Sequence, residues 1–219
     1  MSAVEAAVTP GTAARRVLVA GAGGVAVATP LVLGAARWPR WWLEIAPEQT
    51  AMTWLQSVVL VLVAAGCALA AAARTGMGRG WLLLGAGFAA LAVDERFAVH
   101  ERVRDQLLAP ADVTVPFLPW VAPGDFLMLA YAVAGLLVLP RVARCFRDDR
   151  GARIALLTGI ACALVAVGTD SIDPATWTLA QERVQQSLEE CFELAADLCF
   201  AVAVGLQLLS LMSRLPSRA

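Results

Sequence analysis

Long apolar runs separated by short polar segments dominate the pattern of this chain. A bilayer core about 30 Å thick requires roughly 20 apolar residues at a helical rise of about 1.5 Å per residue. Six runs approach that length, and we expect each to form a transmembrane helix. The predicted spans are 17–36, 51–73, 81–103, 118–139, 153–172 and 188–213. The pattern therefore predicts an all-α fold, a polytopic transmembrane helical bundle with one domain over residues 1–219, surrounded by the lipid bilayer.

The distribution of arginine predicts how the bundle is oriented. All 17 basic residues are arginine, and with the N-terminus in the cytoplasm most of them fall in cytoplasmic segments. The opposite side holds Arg37, Arg40, Arg96, Arg102, Arg104 and Arg183. Because short cytoplasmic loops carry an excess of positive charge, both termini are predicted to be cytoplasmic.

Composition agrees with a membrane protein and argues against several other classes. Apolar residues make up 59% of the chain and charged residues 16%, against roughly 45–50% and 25% in soluble domains. A net charge of −1 speaks against nucleic-acid binding, which needs a basic surface. The glycine-rich run Val17–Ala26 has no second strand after it, so we expect no nucleotide site. The five cysteines form no C-x-x-C pair, so neither a disulfide framework nor a thiolate zinc site is expected.

Acidic residues are concentrated near the predicted outer surface. Of the 18 acids, only Glu5, Asp148 and Asp149 fall on the cytoplasmic side. Counting along each helix places one carboxylate from each of four spans about 5–10 Å beneath the outer edge of the hydrocarbon core. These carboxylates belong to Asp94, Asp125, Asp170 and Asp197, with Glu193 near the boundary. Four helices therefore bring acids to the same depth.

Helical spacing indicates which acids face the interior of the bundle. Gln186, Glu190, Glu193 and Asp197 follow one another at intervals of four, three and four residues, so they share one face of the last span. A charge that faces lipid costs several kcal/mol. We therefore expect this face to point inward.

Charge balance at this depth indicates that most of these acids are protonated, hydrated or neutralised by a bound cation. One arginine, Arg96, accompanies the acids Asp94, Glu95, Asp125, Asp170, Glu193 and Asp197. Oxygen ligands favour a hard divalent cation such as Mg²⁺, Ca²⁺ or Mn²⁺, and Zn²⁺ or iron fits less well because His100 is the only histidine. The candidate ligands are Asp94, Glu95, His100, Glu101, Asp125, Asp170, Glu190, Glu193 and Asp197.

A second interpretation needs no bound cation. The third helix would continue to Leu108 and place Glu101 in a solvated extension. The last helix would begin at Leu179, with Thr178 as its cap, so that its first acids form a wet helical end. Asp125 would cap the fourth helix, and Asp170 would be a turn residue.

Two short segments resemble a known group. The stretch Ala92–Glu101 reads AVDERFAVHE and resembles a D-E-x4-H-E signature of uncharacterised bacterial six-span integral membrane proteins. The segment Pro47–Trp54 is also similar to that group. The resemblance implies a multi-pass protein of the bacterial plasma (inner) membrane and brings no known activity.

Three functional hypotheses follow from these observations. A cation-binding site could serve a metal-dependent membrane enzyme, in which the metal activates water and a spare carboxylate acts as general base. A proton- or ion-coupled transporter is the first alternative, although the inner halves of the spans hold little that is polar beyond Thr158 and Gln207. The second alternative is a structural or partner-binding subunit whose acids pair with another protein.

Overall fold

The computed structural model describes residues 10–73, 78–118, 121, 123–124, 126–172 and 177–213. The regular structure of these residues is helical. The helices are α1 Pro10–Ala36, α2 Ala51–Ala73, α3 Gly78–Phe97, α4 Val99–Val103, α5 Phe126–Val142, α6 Arg150–Asp170 and α7 Leu179–Met212. Five segments are long and apolar enough to cross a membrane: Gly11–Ala36, Ala51–Ala73, Phe126–Phe146, Arg150–Asp170 and Leu179–Met212. This architecture indicates a membrane protein.

The outer surface of the helices is strongly apolar. Large side chains such as Leu31, Leu62, Leu69 and Leu137 are more than 60% exposed. A soluble monomer rarely leaves so extensive an apolar surface in water. A surrounding bilayer would cover these side chains, so their exposure agrees with the hydropathy of the spans.

Close helix contacts surround α7. This helix packs against α6, α2 and α1, while α3 packs against α2. Glycines make three of these contacts possible. A Cβ added to Gly66, Gly159 or Gly205 would come within 2.8 Å of a side-chain carbon on the neighbouring helix. Small residues that let backbones approach closely are a common device in membrane bundles.

The predicted third span, 81–103, is not one continuous helix. It is interrupted at Ala98, which takes a left-handed conformation with φ 46°. The chain then forms α4 and a wider π-helical turn that ends at Leu108, so the expectation of unbroken helix to this residue was wrong. The physical reason is a competing hydrogen bond, in which the backbone N–H of His100 donates to Asp94 Oδ1 at 2.8 Å.

The last helix starts where the capping pattern places it. The Thr178 hydroxyl accepts a hydrogen bond from the Gln181 backbone N–H at 3.4 Å, and the Thr178 N–H donates to Gln181 Oε1 at 2.9 Å. The 34 residues of α7 extend about 51 Å at 1.5 Å per residue, well beyond a bilayer core of about 30 Å. The predicted span 188–213 therefore lacked the first turns of this helix.

An ion pair joins α1 to α6 at the end of the bundle opposite the acids. The guanidinium of Arg15 donates to both carboxylate oxygens of Asp149 at 2.8 and 2.7 Å. Asp149 also caps α6, since its Oδ1 accepts from the Ala152 backbone N–H at 2.9 Å. Burial alone would raise the pKa of Asp149, but the hydrogen bonds from Ala152 and Arg15 outweigh burial and hold that pKa below its ordinary value of 3.8.

Replacing Asp149 with alanine should therefore destabilise the protein by about 2 kcal/mol, because both the helix cap and the ion pair are lost. A carboxylate with a lowered pKa contributes its stability above the ordinary pKa and loses it as the pH falls through the folded-state pKa. The difference between wild type and Asp149→Ala should thus shrink below about pH 3.8. Melting curves in detergent measure both effects. Asp148→Ala, at the neighbouring acid, is the control and should change the melting temperature much less.

Candidate functional site

Three acids on α3 and α7 lie close together. One carboxylate oxygen each from Glu95, Glu190 and Glu193 lies within 4.8 Å of the other two. We call these three residues the acidic triad. The helical spacing of Glu190 and Glu193 places them on adjacent turns of one face, and the last turn of α3 supplies Glu95. All three acids are among the nine candidate ligands named from the sequence.

Several polar atoms around the acidic triad are buried without a hydrogen-bond partner among the described residues. They include Glu190 Oε2 and Glu95 Oε1. Glu190 is only 5% exposed, and Gln56 on α2 is fully buried. The Gln56 amide Nε2 donates to the Glu190 backbone carbonyl at 3.1 Å, whereas Gln56 Oε1 has no partner among the described residues. Buried polar atoms are nearly always satisfied in native proteins, so these oxygens are unusual for a packed interior.

Asp94 and His100 form a separate pair beside the acidic triad. Besides the backbone contact, His100 Nδ1 lies 2.9 Å from Asp94 Oδ2. The break at Ala98 is what brings these two side chains together. An imidazole oriented by a carboxylate is an arrangement suited to proton transfer. Asp94 and His100 were predicted as metal ligands, and in the structure they bind each other.

A cleft of about 640 Å³ opens beside the acidic triad and reaches Glu190. Its lining is rich in acids, namely Glu48, Glu101, Asp170, Glu182, Glu189 and Glu190. Arg104 also lines the cleft and pairs with Glu101 at 3.1 Å. Gln185 holds one wall in place, because its Nε2 donates to the Thr169 carbonyl at 2.9 Å and to Glu189 Oε2 at 3.1 Å. The cleft therefore gives the triad an acidic access route.

Sequence reasoning overlooked Glu48, which lies in the loop before α2. Burial and the nearby carboxylate of Glu101 raise the pKa of Glu48 to about 7. Its Oε2 is buried with no partner among the described residues. A signal for Glu48 was present, because it falls within the segment Pro47–Trp54 that resembles the bacterial group. Hydropathy gave no such signal, since a loop acid is ordinary in a membrane protein.

Arg96, the arginine expected to accompany the acids, does not lie among them. Arg96 is exposed, with its guanidinium carbon 6.0 Å from the centre of the Phe97 ring. Arg183 stacks on Trp42 at 3.9 Å. His100 lies near Glu48, and its imidazolium form favours the ionised form of that carboxyl. The acids at this end of the bundle thus outnumber the cations that the structure places beside them.

The remaining predicted ligands are distributed around the acidic triad. Asp197 is 8% exposed and has Glu193 as its charged neighbour, which places it one turn deeper on the same face of α7. Glu101 and Asp170 line the cleft. Asp125 lies outside the described residues. Within the described part of the chain, Glu95, Glu190 and Glu193 are the residues close enough to share an ion.

These features define a class, a helical membrane protein with a buried acidic cluster that opens through a cleft at one end of its bundle. The chain belongs to the family described as Domain of unknown function (DUF8692), which matches residues 6–208. No curated protein and no solved structure matches the chain. The family covers nearly the whole chain, and its description assigns no activity, so the function must be argued from the site.

Proposed function

We propose that this protein is an integral membrane protein that binds a hard divalent cation at the acidic triad. The observation that carries the proposal is the convergence of three carboxylate oxygens within 4.8 Å, two of these residues having buried oxygens without partners among the described residues. Ligands of one Mg²⁺, Mn²⁺ or Ca²⁺ lie about 2.0–2.6 Å from the ion, so they are about 3–5 Å from one another. The spacing in the triad falls in this range.

Electrostatics supports a cation at this position. Glu95 has Glu193, Glu48, Asp197 and Asp94 as charged neighbours. Several carboxylates in a desolvated site repel one another strongly unless a proton or a cation neutralises them. A divalent ion bound to the triad would supply two positive charges where they are needed. The acidic cleft would attract the ion from solution and disfavour anionic ligands.

The donor set supports a hard ion over zinc or iron. All three ligand side chains are carboxylates, which are typical of Mg²⁺, Ca²⁺ and Mn²⁺ sites. The chain has one histidine, and Asp94 occupies its Nδ1. Zinc and di-iron sites in helical bundles usually have several histidine or cysteine ligands.

Titration calorimetry on the detergent-purified protein tests the proposal. MgCl₂, MnCl₂ and CaCl₂ are each titrated into protein that has been treated with a chelator. We expect saturable binding of one ion per chain, with the same ion raising the melting temperature. Heats no larger than those of dilution for all three ions, with no change in melting temperature, would overturn the proposal.

We also propose that the acidic end faces outward and that both termini are cytoplasmic, as the excess of arginine at the other end supports. Cys145 cannot report this orientation, since it is 1% exposed. Introduced cysteines at Arg147 and Ala111, both exposed, should report it in a background without the five native cysteines. In intact cells a membrane-impermeant thiol reagent should label Ala111→Cys and leave Arg147→Cys unlabelled until the membrane is opened. The reverse pattern would contradict this orientation.

A further inference from the structure

The helices α3 and α7 face each other through a seam of side chains. Residues seven apart on a helix lie on the same face. On α3 this spacing joins Trp81, Phe88 and Glu95, and on the antiparallel α7 it joins Glu193, Phe200 and Gln207. Glu95 meets Glu193 in the acidic triad, and the rings of Phe88 and Phe200 are 5.1 Å apart. These two contacts fix the register of the seam.

The same register brings Trp81 and Gln207 to the same level of the seam. Trp81 lies seven residues from Phe88 in the direction of the arginine-rich end. Gln207 lies seven residues from Phe200 in the same direction. Successive layers are separated by about 10 Å, given a rise of about 1.5 Å per residue. Glu95 and Glu193, the two phenylalanines, and Trp81 with Gln207 thus form three layers across about 21 Å of the bundle.

The layer of Trp81 and Gln207 holds polar atoms that packing does not explain. Both side chains are fully buried, at 0% exposure. Trp81 Nε1 and both amide atoms of Gln207 have no hydrogen-bond partner among the described residues. Leaving such groups unsatisfied costs about 1–3 kcal/mol each. Trp81 packs against the ring of Phe146, with the ring centres 5.1 Å apart, but that ring has no oxygen or nitrogen to bond. An interior of leucine would avoid the cost, so these polar groups need an explanation other than packing.

The middle layer separates the two polar layers. Phe88 is 6% exposed and pairs with Phe200, whose ring also fills the space next to Gly159. Asp197 lies on the acidic side of this layer, one turn from Phe200. The position of the aromatic pair makes it a barrier between the acidic triad and Gln207.

We propose that the seam between α3 and α7 is a translocation pathway for the divalent cation that binds at the acidic triad. This inference rests on the proposed function. A cation would pass from the triad to Asp197, cross the aromatic layer when Phe88 or Phe200 rotates, and then meet the amide oxygen of Gln207. The indole N–H of Trp81 is available at that level to donate to a water molecule that the cation carries. Gln207 lies five residues before the end of α7 and Trp81 three residues after the start of α3, so little helix remains beyond this layer.

The sign of the charges favours a cation over an anion. The access cleft and the first layer hold carboxylates, which would repel an anion. Gln207 offers a carbonyl oxygen, the neutral ligand that hard cations accept after partial dehydration. A cation that binds at the triad would therefore encounter further oxygen ligands along the seam on both sides of the aromatic pair.

Uptake of Mn²⁺ into proteoliposomes tests the pathway. Purified protein is reconstituted into vesicles that contain a fluorescent chelator quenched by Mn²⁺. We expect protein-dependent quenching, which Gln207→Leu should slow at least tenfold while calorimetry shows unchanged Mn²⁺ binding at the triad. Phe88→Ala should accelerate uptake several-fold, because the barrier is smaller. If the melting curve of Phe88→Ala shows that this variant does not fold, Phe88→Leu is used in its place.

Leu82→Ala is the matched control, since Leu82 follows Trp81 in the chain but is 58% exposed on the outer surface. This variant should bind and take up Mn²⁺ like wild type. Wild-type protein that binds Mn²⁺ but gives no uptake would overturn the pathway and leave the proposed function intact. Gln207→Leu uptake at the wild-type rate would also overturn it. Failure of wild type to bind any of Mn²⁺, Mg²⁺ and Ca²⁺ would instead refute the proposed function.

Discussion

Replacing Glu193 with glutamine should weaken divalent-cation binding by at least about 100-fold. This loss exceeds the usual effect of replacing a residue that only hydrogen-bonds to a metal ligand. The amide keeps the size of the side chain but removes one charge from the acidic triad. In the absence of metal the same substitution should raise the melting temperature, because it relieves repulsion from Glu95 and Glu190. The variant should therefore be more stable than wild type without metal and gain little stability when metal is added. Melting curves with and without MnCl₂, together with calorimetry, measure both changes.

Asp112→Asn is the matched control for this prediction. Asp112 is an exposed acid with φ 49° in the loop after the π-helical turn, and asparagine tolerates that backbone conformation well. This substitution should leave cation affinity and melting temperature unchanged. Wild-type affinity in Glu193→Gln, or equal losses in both variants, would contradict a specific role for the triad.

Replacing Gly159 with leucine should destabilise the protein by about 3 kcal/mol or more. Extra side-chain atoms in a packed core are among the most costly changes when the backbone cannot shift to make room for them. A Cβ at this position would lie 2.7 Å from Phe200 Cε1 and 3.1 Å from the Ala196 carbonyl oxygen. The phenylalanine ring can rotate, but the carbonyl belongs to the backbone of α7. The helix must therefore move away from α6, and the face that bears Glu193 moves with it. We expect both a lower melting temperature and weaker cation binding.

Gly168→Leu on the same helix is the control, because a Cβ there would meet no heavy atom within 4 Å. It should lower the melting temperature little, and glycine replacement in a helix can even be favourable. If both variants melt alike, close packing at Gly159 is not what holds α6 against α7.

The helical architecture could be predicted because a membrane-spanning helix is recognised by the length and the apolar composition of a segment, which the sequence gives directly. The predicted span 51–73 coincides with α2, which is apolar apart from Thr53, Gln56 and Ser57. The inward face of α7 followed from the intervals between Glu190, Glu193 and Asp197, since helical geometry fixes which residues share a face. The start of α7 at Leu179 followed from the capping pattern at Thr178. Each of these features is local in the sequence.

The features that sequence reasoning got wrong or overlooked depend on contacts across the fold. The break at Ala98 arises because Asp94 binds the backbone and the ring of His100, a choice that helical periodicity does not reveal. That contact pairs Asp94 with His100, whereas Glu95 lies beside Glu190 and Glu193 of α7. Glu48 and Gln56 approach the acidic triad only after the helices are packed, and neither stands out in a hydropathy pattern.

The proposed function requires a cation between Glu95, Glu190 and Glu193. A crystal structure of the protein grown with MnCl₂, with anomalous diffraction data that identify manganese, tests this point directly. We predict one anomalous peak per chain, about 2.0–2.3 Å from a carboxylate oxygen of each of the three residues, as expected for a small hard cation. An absence of manganese at the triad, with its carboxylates held by hydrogen bonds to one another or to another protein, would contradict the central claim.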